Sequence, residues 1–124
     1  MAVIQIDAGV YSSYALLADE SVYAWGRNAE GQLGDGTTTQ RTSPILVTSL
    51  PPNPNYQLGG GGNVNTFVAL LPDGSAVGSG YNNHGQLATG DTANVLTAGP
   101  LPGLGAGNVA TARGEGFMLL LKRP

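Results

Sequence analysis

The stretch Ala15-Leu-Leu-Ala-Asp-Glu-Ser-Val-Tyr-Ala-Trp-Gly-Arg-Asn-Ala-Glu-Gly-Gln-Leu-Gly-Asp-Gly36 recurs in outline later in the same chain. A shift of 54 places lays Ala15 to Gly36 on Ala69 to Gly90 without a gap. Ala15, Leu16, Leu17, Asp19, Ser21, Gly26, Asn28, Gly31, Gln32, Leu33 and Gly36 then meet their own kind, 11 identities in 22 columns. A partial third copy follows, where Phe117-Met118-Leu119-Leu120-Leu121 resembles Phe67-Val68-Ala69-Leu70-Leu71 and stops before the glycine-rich part. Repeats of about 50 residues mark propellers or arrays, in which no unit can bury its faces alone.

Outward from the repeat, the local signals are for strands. Ile4 to Asp7, Tyr14 to Ala18, Val22 to Trp25 and Pro44 to Val47 are short runs set apart by Gly, Asp, Ser and Thr. The second unit offers Tyr56 to Leu58, Phe67 to Leu71, Ala76 to Gly78 and a weaker run at Ala98 to Leu101. Asp19-Glu20 and Asp73-Gly74 stand where a two-residue hairpin turn belongs. Four short antiparallel strands per repeat describe a propeller blade. The expected fold is therefore all-β, a partial β-propeller of two four-stranded antiparallel blades (4–47 and 56–101) and a half-blade (109–122). Thr48 to Asn55, with Pro51, Pro52 and Pro54, reads as the connection between blades.

Val68 and Leu70 point to one face of their strand, and Phe67, Ala69 and Leu71 to the other. Met118 with Leu120, and Phe117 with Leu119 and Leu121, repeat the alternation. A strand apolar on both sides is covered on both sides. The covers in a propeller are the neighbouring blades.

Composition narrows the function. The 124 residues hold 20 Gly and 8 Pro, and only 10% are charged. That excludes long helices and coiled coils, while 41% apolar content at net charge −3 argues for a core rather than disorder. Five cations against eight carboxylates leave no basic stripe, so no nucleic-acid partner is expected. Cysteine is absent, which removes disulfides, thiolate metal sites and a cysteine nucleophile. Met1 to Asp7 lacks the basic start of a signal peptide. The longest apolar run, Phe117 to Leu121, is far below the ~20 residues that span a bilayer, so no membrane insertion is expected. The neutral, hydroxyl- and amide-rich composition suits an extracellular or particle-bound setting.

Trp25-Gly26-Arg27-Asn28-Ala29-Glu30-Gly31-Gln32-Leu33-Gly34-Asp35-Gly36 resembles the repeat of the regulator of chromosome condensation family, with Ala8-Gly9, Tyr14-Ala15-Leu16 and Ser43-Pro44 fitting around it. The resemblance spans two and a half repeats. The second copy departs from the pattern, with Ser79 for the Trp, Ala88 for a Gly and Thr89 for the Asp. The motif residues, Trp25, Gly26, Asn28, Gly31, Gln32 and Leu33 with Gly80, Asn82, Gly85, Gln86 and Leu87, read as a compact blade loop. Its glycines allow positive φ, its amides satisfy stranded backbone groups, and its leucines pin it to the core. A ligand loop is the competing reading.

No chemistry-bearing constellation stands out. Gly59 to Gly62 lacks the Gly-Lys-Ser/Thr of a phosphate loop. His84 is the sole histidine and sits in a loop, and Asp35 and Asp91 lack calcium-loop spacing. No carboxylate pair recommends glycoside hydrolysis. Trp25 is expected to pack between blades, the alternative being a sugar platform.

The family that the motif resembles includes a nucleotide-exchange factor for a small GTPase, an ultraviolet-B receptor and many binding modules. Two and a half repeats do not make a seven-bladed exchange surface, and one tryptophan does not make a light-sensing cluster. The expectation is a non-enzymatic, cofactor-free structural or binding module that assembles with itself, a trimer favoured, or with other structural proteins. A bacteriophage virion decoration or fibre component fits that description, with a carbohydrate-binding lectin or a protein-interaction module of a bacterial surface protein as the alternative. Ile4, Ile6, Phe117, Leu119 and Leu121 are the expected oligomer interface. Phe117 to Leu121 would clasp a neighbour's Ile4 to Asp7 or an outer strand, or else fold back on its own second blade.

Overall fold

The computed structural model describes residues 2–50, 55–59, 65–113 and 118–122. Pro51, Pro52, Pro54, Gly60 to Gly62 and Phe117 lie outside the described residues.

Strands β1 (Val3–Ala8), β2 (Ser12–Leu17), β3 (Val22–Gly26) and β4 (Arg41–Leu46) form one antiparallel sheet in chain order. Strands β5 (Gln57–Leu58), β6 (Thr66–Leu70), β7 (Ala76–Gly80) and β8 (Val95–Pro100) repeat it. A 3-10 turn, Pro102–Leu104, leads to the two-stranded sheet of β9 (Asn108–Arg113) and β10 (Met118–Lys122). The architecture is thus all-β, with propeller blades stacked face to face. The outer strands β4 and β8 begin three residues earlier than their apolar runs suggest, because Arg41 pairs with Gly26 and Val95 with Gly80 across a register irregularity.

Alternation places the core in two seams. In the first, Tyr14, Leu16, Val22, Ala24 and Leu33 of blade one meet Tyr56, Leu58, Phe67, Ala69, Val77 and Ala98 of blade two. The Tyr14 and Phe67 rings stack with centroids 4.6 Å apart, a geometry that adds to area burial. In the second, Val68, Leu70, Ala76, Leu87, Leu101 and Leu104 receive Met118 and Leu120 of β10. Strand β6 is therefore apolar on both faces because each face has a cover.

The third copy is one place out of step with its sequence match. Gln5 pairs with Leu16, and Gln57 with Leu70. Gln5 donates to the Tyr56 carbonyl at 2.6 Å and accepts from the Leu58 N–H at 2.9 Å, clamping the neighbouring blade. Gln57 reaches the Val109 carbonyl in the same way. Since Ala110 then stands at the position of Gln57 and pairs with Leu121, Met118 to Leu121 correspond to Phe67 to Leu70. A one-residue slip exchanges the faces. Met118 and Leu120 point inward, and Leu119 and Leu121 point out.

Candidate functional site: blade faces and their loops

The motif loops are rigid by construction. Asn28, fully buried, accepts from the Leu33 N–H at 3.0 Å and aims its amide N–H groups at Asp35 Oδ1 and at the Thr37 and Thr39 carbonyls. Asn82 repeats this, accepting from the Leu87 N–H at 2.8 Å and donating toward Thr89 Oγ1 and the Asp91 and Ala93 carbonyls. Gln32 and Gln86 accept from the N–H groups of Glu30 and His84. Each buried amide thus satisfies backbone groups that a loop this tight would otherwise strand. This is the scaffold role; the Gln32 amide N–H in addition donates to Asn65 Oδ1 of blade two at 3.3 Å.

The first loop also does something between blades. Its backbone runs along β8, where the Gly36 N–H donates to the Leu96 carbonyl at 2.8 Å and the Ala98 N–H to the Gly34 carbonyl at 3.0 Å. Asp35 and Thr97 form an antiparallel bridge between these bonds. A Cβ on Gly31 would come within 2.5 Å of Leu96 Cδ2, and one on Gly34 within 2.5 Å of the Ala98 Cβ. Two of the loop's glycines are therefore there to let the next blade approach. Gln5, Gln57, Leu96 and Ala98 carry the seam and went unmarked in the sequence. The repeated glutamine two residues into the first strand was the available signal.

Burial works against the Asp35 carboxylate, but hydrogen bonds from Thr37, Asn28 and Arg41 outweigh it and hold its pKa below the ordinary aspartate value. At the far ends of the blades, Ser21 and Ser75 donate to Asp19 and Asp73 through side chain and backbone. Those bonds lower both carboxylates, which are solvent-exposed. They are turn-closing bonds. Among the described residues no group of His, Asp and Glu is placed to hold a metal. His84 is exposed, its ring edge-on to Tyr81 at 6.0 Å.

Among the described residues, two faces remain without a cover. Blade one's leading face carries Ile6, Ala15, Leu17, Tyr23 and Trp25, the positions that Leu58, Ala69, Leu71, Val77 and Ser79 hold in blade two. Leu58 is 7% exposed under blade one, while Ile6 is 78% exposed. Val3, Ala15, Leu17, Tyr23, Trp25 and Pro44 line an open recess of about 280 Å³ on this face. Trp25 is half-buried there and joins neither seam. The packing between blades expected of Trp25 is therefore not made among the described residues, where no blade covers this face. Ile4 stands on the same strand, also exposed.

The trailing face is that of the half-blade. Leu119 and Leu121 are 62% and 63% exposed and form an apolar surface with Ala110 and Ala112. In the single chain, β10 lies on its own second blade through Met118 and Leu120, the fold-back arrangement, and its outer side stays open. The Lys122 ammonium ties its end down by donating to the Leu104 and Ala106 carbonyls. Of the five expected interface residues, four are thus exposed at the two ends of the stack, and Phe117 falls outside the described residues.

Comparison with known proteins matches these elements to one family. The regulator of chromosome condensation (RCC1) repeat matches at residues 19–54 and again at residues 3–32. The chain is 41% identical over 90 residues to the human probable E3 ubiquitin-protein ligase HERC4, and 40% identical over 87 residues to human HERC6. These alignments take in 72% and 69% of this chain but 8% of each relative, so the likeness is to their repeat region alone. Among solved structures, human WBSCR16 superposes with a TM-score of 0.75 at 25% identity, covering 97% of this chain and 30% of that one. Yeast Prp20p, described with its binding to Gsp1p and histones, superposes at 0.78 and 15% identity, covering 99% and 32%. With the repeat motif, the blade sheets and the relatives in agreement, this chain belongs to the RCC1 repeat family of β-propellers.

Proposed function

We propose that this chain is a non-catalytic protein-interaction module whose act is to complete a propeller with further copies of itself. One observation carries the reading. The leading face of blade one repeats, position for position, a face that blade two keeps covered, yet Ile6 is exposed where Leu58 is buried. Apolar patches of this kind mark interfaces, and a head-to-tail contact that closes into a ring removes the patches at both ends. Leu119 and Leu121 of one copy would seat on Ile6, Ala15 and Leu17 of the next. Three copies match the size of the solved propellers, of which this chain covers 30–32%. Use as a particle component or as a lectin would build on the same ring, and a glycan array tests the latter.

Sedimentation at micromolar concentration should give a trimer, and Ile6→Lys or Leu119→Glu should reduce it to monomer. Trp25 is the chain's single tryptophan, so its emission reports on the leading face without interference. It should shift to the blue on assembly and back in both variants. A folded, stable monomer of the parent chain would overturn self-assembly.

A further inference from the structure

Three asparagines are buried among the described residues, Asn28, Asn82 and Asn108. The first two spend both ends of the amide, the nitrogen on carbonyls and the oxygen on a leucine N–H. Asn108, 4% exposed at the start of β9, is built alike at one end only. Its Nδ2 donates to the Gly74 carbonyl at 2.8 Å and to the Leu104 and Gly105 carbonyls at 3.2 Å. Its Oδ1 has no hydrogen-bond partner among the described residues. Turning the amide over would aim that oxygen at three carbonyls, so the neighbours fix its orientation. A buried acceptor left unmade costs free energy, and in folded proteins such atoms are met by protein or by ordered water.

No described residue brings a donor to that oxygen, and the surroundings say why. On one side two backbones are pressed together, where the Asn108 N–H donates to the Gly74 carbonyl at 3.2 Å and the Gly107 N–H to the Asp73 carbonyl at 2.9 Å. A Cβ on Gly74 would lie 2.4 Å from the Asn108 nitrogen, so no side chain enters there. On the other side runs the turn from Gly105 to Gly107, with Gly105 and Ala106 exposed. A Cβ on Gly107 would meet nothing within 4 Å, which leaves room beside Asn108 and a way in from solvent. Charge narrows what can enter. The Lys122 ammonium donates to the Leu104 carbonyl at 3.0 Å, the same carbonyl that Asn108 uses, and to the Ala106 carbonyl at 3.2 Å. That ammonium repels a metal cation, while an anion would face Oδ1 itself and the carbonyls around it. What remains is a small neutral group that both donates and accepts, and water is the smallest of that kind.

We propose that Asn108 Oδ1 binds one ordered water, admitted at the Gly105–Gly107 turn, and that this water is part of the joint between blade two and the half-blade. The water donates to Oδ1 and accepts from the Lys122 ammonium, two of whose three hydrogens go to Leu104 and Ala106. Asn108 and Lys122 are paired across β9 and β10, and Leu104 belongs to the turn that leaves blade two. The water therefore joins the half-blade to blade two by polar contact, where Met118 and Leu120 join it by apolar contact. The site lies within one chain and does not depend on the assembly proposed above.

The test is magnetisation transfer from water in NMR spectra of the full chain. The Asn108 side-chain amide and the Gly107 N–H should show cross-peaks of the sign given by a water that tumbles with the protein. Ser75→Ala removes the hydroxyl of the neighbouring hairpin and should leave the cross-peaks in place, which separates a bound water from relay through a hydroxyl. Lys122→Met should weaken them, because the water loses its donor and keeps Oδ1. Asn108→Leu has no polar atom to offer and should abolish the Gly107 cross-peak. It should also speed amide exchange along β9 by about tenfold, as the three carbonyls lose their donor. A folded parent chain without these cross-peaks overturns the site, whether or not the Leu variant folds. Cross-peaks lost in Ser75→Ala overturn it too, as does a Gly107 cross-peak unchanged in Asn108→Leu.

Discussion

The loops after β3 and β7 share a sequence grammar and an internal hydrogen-bond network, but among the described residues only the first is hydrogen-bonded to the outer strand of another blade. In the first, Gly31 and Gly34 are pressed against Leu96 and Ala98. In the second, Gly85 has room and the place of Gly34 is taken by Ala88, a non-glycine residue at φ +56°. The difference separates two jobs that the repeat motif merges. Asparagine, glutamine and the turn glycines shape the loop, whereas the absence of a side chain at positions 31 and 34 admits the neighbour. At the place of Gly34 the second loop carries Ala88, whose backbone lies against Gly103 rather than an outer strand.

The most direct way to break this comparison is to place one side chain in both loops. Gly31→Asn should destabilise by about 3 kcal/mol, since overpacking a seam costs that much and Leu96 cannot withdraw without losing the loop-to-β8 bonds. Gly85→Asn should cost less than about 1 kcal/mol. Chemical denaturation of both variants checks it, and equal losses would show that the glycines serve backbone conformation alone.

A smaller effect sharpens the other half. Asn28→Ala and Asn82→Ala should each cost about 2 kcal/mol, because each strands a buried N–H and several carbonyls. The two losses should agree within about 0.5 kcal/mol, the network being internal to each loop. A much larger loss at Asn28 would mean that the network also holds the seam.

These loops were legible in the sequence because their chemistry is local. The spacing of Asn28 to Leu33, and of Asn82 to Leu87, sets the bond from the leucine N–H to the asparagine whatever surrounds it. The two-sided apolarity of Phe67 to Leu70 likewise announced the two seams. Residues 118–121 were not legible in register. Met-Leu-Leu-Leu buries an equally apolar face in either register, and the choice falls to the pairing with β9 and the tie at Lys122. Trp25 was not legible either, because its packing depends on a cover that no described residue provides. The edge bonds of the first loop to β8 involve backbone alone, so Leu96 and Ala98 left no mark beyond being small or aliphatic.

The smallest expected difference between the loops is electrical. Asp35 ties the first loop to Arg41 at 3.0 Å and to Thr37, and the second loop has Thr89 in that place. The hydrogen bonds that reach Asp35 lower its pKa in the folded state despite its burial. A carboxylate lowered on folding adds stability that is fully present above its unfolded pKa, near 3.9, and disappears as the pH falls through the folded value. The parent chain should therefore lose stability below about pH 4, by about 1 kcal/mol on account of this residue. Asp35→Asn should be less stable than the parent at pH 7 and should converge on it toward pH 3. Exposed Asp19 and Asp73, lowered by their serines, titrate in the same direction in both chains and cancel from the difference. Amide exchange resolved by residue should show the first loop opening on acidification while the second holds. A parent and an Asn variant with parallel stability curves from pH 7 to pH 3 would remove Asp35 from the comparison and leave the difference between the loops to packing alone.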